Sequence, residues 1–125
     1  MSESFLVNTG FLPVGSWRAA ACRPHKAAWL RSQPGLYAFV IEHTVMYVGE
    51  TVTLHRRLRN YGNRAFRNGN NAQRKVHVGI ASSTAENIEV AIFARVVPGA
   101  DKELLLPMQN ALIQALQPPW NGTIR

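Results

Sequence analysis

Residues 34–50 read PGLYAFVIEHTVMYVGE, and this stretch decides the fold of the protein. Both halves are rich in β-branched and aromatic residues, and the dipeptide at 43–44 separates them, which predicts two short antiparallel strands joined by a tight turn. Each strand carries a tyrosine beside a glycine, as GLY at 35–37 and as YVG at 47–49. A packed sheet needs apolar residues rather than phenols at such positions. The repeated pair therefore indicates a function beyond packing.

The overall composition is that of one globular domain. The chain has 125 residues, of which 46% are hydrophobic and 17% are charged, enough for one core but too few for two. No apolar run approaches the roughly 18 residues of a membrane-spanning helix, and the N-terminus lacks the pattern of a secretory signal. Cys22 is the only cysteine, which excludes an intrachain disulfide and a CxxC metal site. We expect a cytoplasmic protein with no membrane partner.

The charge is strongly positive and unevenly distributed. Fourteen Lys and Arg oppose seven Asp and Glu, which gives a net charge of +7. Residues 51–85 contain no acid but many of the basic residues. A segment of one sign attracts a polyanion, most commonly nucleic acid, and a merely solvated face is the weaker alternative because solvated faces usually mix signs. The residues predicted to contact nucleic acid are His55, Arg56, Arg59, Arg64, Arg67, Arg74 and Lys75.

The chain as a whole predicts a small α+β domain, with a short antiparallel sheet of about three strands flanked by helices. Residues 1–33 are predicted to form an N-terminal helical extension, in which Ser16 caps a helix and Pro24 divides it in two. Residues 34–125 then form a single globular unit in the order β-β-α-(α)-β-α.

The elements after the hairpin follow from spacing and breakers. Leu54 and Leu58 recur at helical spacing after a threonine cap. Residues 74–83 fit a strand or a helix, and we favour a helix although Gly79 disfavours it. Residues 87–97 read as a strand, and Pro107 is predicted to begin the last helix.

An ordered set of polar residues accompanies these elements. Taken singly, each is ordinary: a sheet tyrosine, a surface arginine or a turn asparagine. Taken in order across residues 34–121, the set strongly resembles the GIY-YIG nuclease superfamily, and the four-residue step from arginine to tyrosine resembles the domain of the bacterial excision-repair nuclease subunit. The residues that carry the resemblance are Tyr37, Tyr47, Arg57, Tyr61 and Asn121, together with Gly35 and Gly49.

The resemblance implies an endonuclease that hydrolyses DNA phosphodiester bonds with Mg²⁺ or Mn²⁺. Tyr37 would be the general base, and Tyr47 would position the water or share its proton. A free phenol has a pKa near 10, so that role requires nearby cations. Arg57 would bind the scissile phosphate through its fork, Tyr61 would bond a phosphate oxygen or orient Tyr47, and Asn121 would organise the site through its amide.

One position departs from the family pattern. Family members carry a metal-binding Glu twelve residues before the Asn, where this chain has Gln109. A neutral amide carbonyl is a far poorer ligand than a carboxylate for a hard divalent cation. The chain is then a naturally impaired nuclease, or another acid such as Glu50 or Glu103 supplies the carboxylate, or the sequence is an engineered Glu-to-Gln variant. We favour the last explanation because every other site residue is intact.

A rival reading is a non-catalytic nucleic-acid-binding module built on a degenerate nuclease fold. Duplex DNA, single-stranded DNA and RNA are all compatible with the sequence, because phosphate contacts do not report the sugar. A monomer and a homodimer are equally compatible with it.

Overall fold

The computed structural model describes residues 2–18, 21–24, 31–61 and 74–122. These residues form one antiparallel sheet and helices on both of its faces. The strands are β1 (Leu12–Arg18), β2 (Ala21–Pro24), β3 (Gly35–Ile41), β4 (Thr44–Thr51) and β5 (Val90–Val96), and the helices are α1 (Ser2–Asn8), α2 (Leu54–Tyr61), α3 (Lys75–Ala85) and α4 (Lys102–Leu116).

The strands of the sheet run in the order β2-β1-β5-β3-β4, and every neighbouring pair is antiparallel. The predicted α+β class and the β3–β4 hairpin are therefore confirmed, with five strands in the described residues rather than about three. The hairpin turns at Glu42 and His43, whose φ angles are 46° and 70°. Two successive positive φ angles give a turn whose twist matches that of the strands it joins.

The predicted N-terminal helical extension is wrong over the described residues that follow α1. Residues 2–8 are helical, but residues 12–18 and 21–24 form the paired strands β1 and β2, and β1 lies inside the sheet between β2 and β5. Ser16 is therefore a strand residue paired with Ala91, not a helix cap. The alanine-rich segment has the local propensity of a helix, and pairing with the distant β5 overrides it. Residues 25–30, part of the second predicted helical piece, lie outside the described residues.

Each face of the sheet has its own hydrophobic core, because alternate residues of a strand point to opposite faces. One core takes Tyr37 and Phe39 from β3 and is covered by α2 and α3. The other takes Leu36, Ala38 and Val40 and is covered by α1 and α4. None of the helices in the described part of the chain has the length and apolar character needed to span a bilayer.

The helix predicted over residues 74–83 is present as α3, and packing explains the glycine that disfavoured it. A Cβ at Gly79 would lie 2.2 Å from Cε2 of Trp120, so only glycine lets the indole rest on this helix.

The predicted start of the last helix at Pro107 is wrong. Helix α4 begins at Lys102, where the Asp101 side chain caps it by accepting a hydrogen bond from Leu104 N at 2.9 Å. Pro107 lies inside the helix and removes the N–H that would bond the carbonyl of Glu103. The helix therefore begins at the side-chain cap of Asp101 and not at the proline.

Candidate active site

The three tyrosines of the sequence set converge on one face of the sheet. Tyr37 and Tyr47 lie on the adjacent strands β3 and β4, and Tyr61 ends α2 directly above them. The ring centroids are 6.0 Å apart for Tyr37 and Tyr47, 5.7 Å for Tyr37 and Tyr61, and 6.3 Å for Tyr47 and Tyr61. Relative exposure is 1% for Tyr37, 5% for Tyr47 and 0% for Tyr61, so Tyr47 is the most accessible of the three.

Two hydrogen bonds tie the phenol groups to their neighbours. The hydroxyls of Tyr37 and Tyr61 are 3.0 Å apart, and the rings of Tyr61 and Tyr47 pack with centroids 6.3 Å apart. Arg74 Nη2 donates to the Tyr47 hydroxyl oxygen at 3.1 Å, an interaction that favours negative charge on that oxygen. The structure therefore places the half-buried Arg74 beside the tyrosine cluster.

Burial dominates the proton affinities in this cluster. It raises the pKa of Tyr37 well above the usual value, repulsion from ionised Tyr61 and Tyr47 adds to the rise, and only Arg57 opposes it. Burial likewise raises the pKa of Tyr61. Burial alone would lower the pKa of Arg74, but attraction to the phenols of Tyr47 and Tyr61 outweighs it and the net shift is upward. Tyr37 and Tyr61 are therefore neutral hydrogen-bonding groups at neutral pH.

The two glycines of the motif leave room for atoms that a side chain would displace. Gly49 pairs with Tyr37 across the hairpin, and a Cβ there would lie 2.4 Å from Tyr37 Cζ and 2.5 Å from its hydroxyl oxygen. The Tyr37 ring thus lies across β4 where Gly49 makes space. A Cβ at Gly35 would lie 2.1 Å from the carbonyl oxygen of Arg95, so this glycine permits close packing of β3 against β5.

Arg57 lies half-buried on α2 and faces a small open pocket beside the cluster. The pocket has a volume of about 150 Å³. Arg57 is close enough to Tyr37 to lower its pKa, which links the pocket electrostatically to the phenols. Within it, Lys102 Nζ donates to Glu50 Oε1 at 2.7 Å. The lining residues are Glu50, Thr51, Val52, Thr53, Arg57 and Lys102.

Asn121 fixes the outer edge of β4. Its Oδ1 accepts from Val48 N at 3.1 Å and its Nδ2 donates to Val48 O at 2.8 Å. Trp120 N also donates to Met46 O at 2.8 Å. The asparagine amide therefore holds the main chain of the residue between Tyr47 and Gly49.

Gln109 lies on the helix that covers the opposite face of the sheet. It is half-buried on the side of α4 that also carries the buried Leu105 and Leu112, and its amide donates to Asn110 Oδ1 at 3.4 Å. Of the alternative acids, Glu50 is paired with Lys102 and Glu103 is exposed.

These donors fit a divalent cation poorly. Gln109 offers a neutral carbonyl, and the Glu50 carboxylate is already engaged by an ammonium group. Of the three candidates only the exposed Glu103 offers a free carboxylate, whereas Mg²⁺ prefers carboxylate ligands. Among the described residues there is also no group of three or more His, Cys, Asp or Glu that could hold a metal ion.

The predicted nucleic-acid contacts separate into distinct places. His55, Arg56 and Arg59 lie together on α2 around a second pocket, and Lys75 is exposed at the start of α3. Arg64 and Arg67 lie outside the described residues.

The sequence analysis missed the contact between Arg74 and Tyr47. The one signal in the sequence was the position of Arg74 directly before a predicted helix, and it does not identify Tyr47 as the partner.

No family model and no curated protein sequence matches this chain, but solved structures do. A mutant of EndoII from bacteriophage T4 superposes with a TM-score of 0.69 at 18% identity, over 96% of this chain and 98% of that one. The magnesium-bound GIY-YIG N-terminal endonuclease domain of UvrC from Thermotoga maritima gives 0.51 at 21% identity, over 78% and 92%. The restriction endonuclease HPY188I in complex with product DNA gives 0.56 at 12% identity, over 97% and 82%.

The chain therefore has the fold of the GIY-YIG nuclease domains. It shares this fold with EndoII of bacteriophage T4, the endonuclease domain of UvrC and the restriction endonuclease HPY188I. On this fold the chain carries the set of tyrosine, glycine, arginine and asparagine residues described above.

Proposed function

We propose that the protein is a DNA endonuclease of the GIY-YIG type that hydrolyses phosphodiester bonds, and that Gln109 impairs this chain. The observation that carries the proposal is the buried cluster of three phenols, in which Arg74 donates to Tyr47 and Arg57 is near enough to oppose the rise in the pKa of Tyr37. A cluster with only a structural role gains nothing from two partly buried arginines, whose desolvation is costly.

The roles of the residues follow from their exposure. Arg57 lines the small pocket beside the cluster. It would bind the scissile phosphate there, since a guanidinium fork matches two phosphate oxygens. Among the phenols, Tyr47 is the most exposed and receives a hydrogen bond from Arg74. These features favour Tyr47 over Tyr37 as the group that accepts the proton of the attacking water. Tyr61, whose hydroxyl lies 3.0 Å from that of Tyr37, would hold the Tyr37 phenol in place.

The metal position decides whether this chain cuts. Because the donors fit Mg²⁺ or Mn²⁺ poorly here, we assign no step of the reaction to a metal ion. The UvrC domain with the same fold was solved with magnesium as its catalytic divalent cation. By analogy, a carboxylate at position 109 would restore metal-dependent cleavage.

A cleavage assay tests the proposal. The chain, its Gln109→Glu form and a Gln114→Glu form would receive supercoiled, linear duplex and single-stranded DNA with Mg²⁺ or Mn²⁺. Gln114 is exposed on the same helix, so it controls for the added charge. We expect cleavage by the Gln109→Glu form alone, and loss of that cleavage when Arg57→Ala is added. Cleavage by the Gln114→Glu form would show that charge rather than position matters.

The second candidate function is a non-catalytic nucleic-acid-binding module, and Gln109 is the observation that favours it. If none of the three forms cuts any substrate, yet the chain binds nucleic acid with an affinity that falls steeply with salt, this function replaces the first. Including an RNA of the same sequence in the binding series determines which nucleic acid is preferred.

A further inference from the structure

A second pocket lies beside α2, and the titratable residues that line it are all basic. Its volume is about 370 Å³. The described residues that line it are three arginines, one histidine and two hydroxyl residues, with no acid among them, although the chain carries seven acids. The lining residues are Arg31, Ser32, Thr53, His55, Arg56 and Arg59.

Two separate segments of the chain build this pocket. Arg31 and Ser32 precede β3, whereas the other four residues belong to α2 and the residue before it. A main-chain hydrogen bond from Leu54 N to Gln33 O, at 2.9 Å, ties the first segment to the start of α2. The arginines are therefore gathered by the fold and are not simply successive residues of one basic helix.

The electrostatics of the pocket favour an anion. Burial, with help from Arg59 and Arg31, lowers the pKa of His55, so its imidazole is neutral at neutral pH and can donate a hydrogen bond without adding charge. Arg31, Arg56 and Arg59 repel one another, and none of the described lining residues carries a carboxylate that could relieve the repulsion. A bound phosphate would relieve it, since guanidinium and phosphate groups match in geometry as well as charge.

The pocket adjoins the one that Arg57 faces. Thr53 lines both of them, so an extended polyanion could enter both at once. We propose that the pocket of Arg31, Arg56 and Arg59 binds a backbone phosphate of nucleic acid, next along the strand to the phosphate that Arg57 binds. Contacts of this kind set the register of a strand and carry no sequence information. The adjacency part of the proposal rests on the function proposed above for Arg57.

The first test observes the pocket directly in the chain as it exists. Side-chain NMR of the histidines is recorded while inorganic phosphate, and separately a short oligothymidine with or without a 5′-phosphate, is added. His55→Gln assigns the pocket resonance, and His43, which is paired with Glu3 at 2.7 Å, is the internal control. We expect the His55 signal to move and saturate with all three ligands, and its titration to shift to higher pH, while His43 is unchanged.

The two phosphate sources are distinguished by the same spectra. A response to inorganic phosphate and to the 5′-phosphorylated oligonucleotide, but not to the unphosphorylated one, would overturn the backbone assignment in favour of a terminal-phosphate site. Equal movement of His43 and His55 would mean general ionic screening and would overturn the pocket altogether.

The second test measures affinity for the oligonucleotide as salt is varied. Arg31→Ala should reduce the slope of log affinity against log salt by about one, the value for one lost phosphate contact. Arg95→Ala is the control, because it removes the same charge from a side chain that lies near Gly10. Equal slopes for the two variants would overturn the proposal.

The failure of this inference can be told from the failure of the proposed nuclease. If the Gln109→Glu form cuts DNA but Arg31→Ala behaves like Arg95→Ala, only the pocket is wrong. If His55 responds as expected and no form cuts, the pocket stands and the nuclease is wrong.

Discussion

Replacing Gly49 by Ala tests the geometry of the tyrosine cluster most directly. The new Cβ would lie 2.4, 2.5 and 2.8 Å from three atoms of the Tyr37 phenol, whereas carbon atoms in good contact are about 3.5–4.0 Å apart. The ring or the strand must therefore move by about 1 Å. The ring has little freedom, since the rings of Phe39, Tyr47 and Tyr61 lie with centroids within 6.0 Å of it.

Two effects of opposite sign determine the size of the change. Overpacking of a well-packed core costs about 1–3 kcal/mol, and a rigid, enclosed ring places this site at the upper end. Removing a glycine from the unfolded chain stabilises by about 0.4–1 kcal/mol where the backbone accepts alanine. We expect a net loss of about 2 kcal/mol in the free energy of unfolding, measured by urea denaturation.

A double-mutant cycle supplies the control for this prediction. In a Tyr37→Ala background the Cβ meets no ring, so Gly49→Ala should cost nothing or stabilise slightly, and the two changes should couple strongly. A loss below about 0.5 kcal/mol in the parent chain, or equal losses in both backgrounds, would refute the placement of the Tyr37 ring over β4.

Three further predictions concern other parts of the site. Asn121→Ala removes both hydrogen bonds to the edge of β4 and should lower the free energy of unfolding, measured by urea denaturation, by about 1–3 kcal/mol. A change below about 0.5 kcal/mol, the size typical of ordinary surface substitutions, would contradict this role. The pKa values of Tyr37 and Tyr61 are raised in the folded state. Their contribution to the free energy of unfolding is therefore complete below the unfolded pKa of about 10 and is lost as pH rises above it. Tyr61→Phe should make stability fall less steeply at alkaline pH, and an unchanged fall would refute this cause. In the Gln109→Glu form, Arg74→Gln should lower the rate of cleavage about a hundredfold or more with little change in DNA affinity. A loss of affinity alone would mean that Arg74 binds DNA and does not assist the chemical step.

The sequence predicted the parts of the fold that depend on local patterns. The hairpin of β3 and β4, helix α2 and strand β5 each follow from a periodicity within one segment, and so does the convergence of Tyr37 with Tyr47. These residues are brought together by a single turn, so short-range information suffices.

The missed features depend on partners that are distant in the sequence. Strand β1 pairs with β5, more than seventy residues later, and this pairing overrides a helical local preference. Arg74 bonds a hydroxyl that is 27 residues away, and no fixed spacing marks it. Arg31 belongs to a pocket because a main-chain hydrogen bond from Leu54 N to Gln33 O holds its segment against α2.

The attachment of residues 120–121 to β4 also has a consequence for the protein in a crowded solution. β4 is the last strand on its side of the sheet, and an open strand edge is a template on which a second chain can add. Trp120 N and the Asn121 amide occupy the carbonyl of Met46 and both main-chain groups of Val48. The amide that holds the tyrosine-bearing strand thereby also protects that strand from intermolecular β-pairing, so loss of Asn121 should promote aggregation as well as disturb the site.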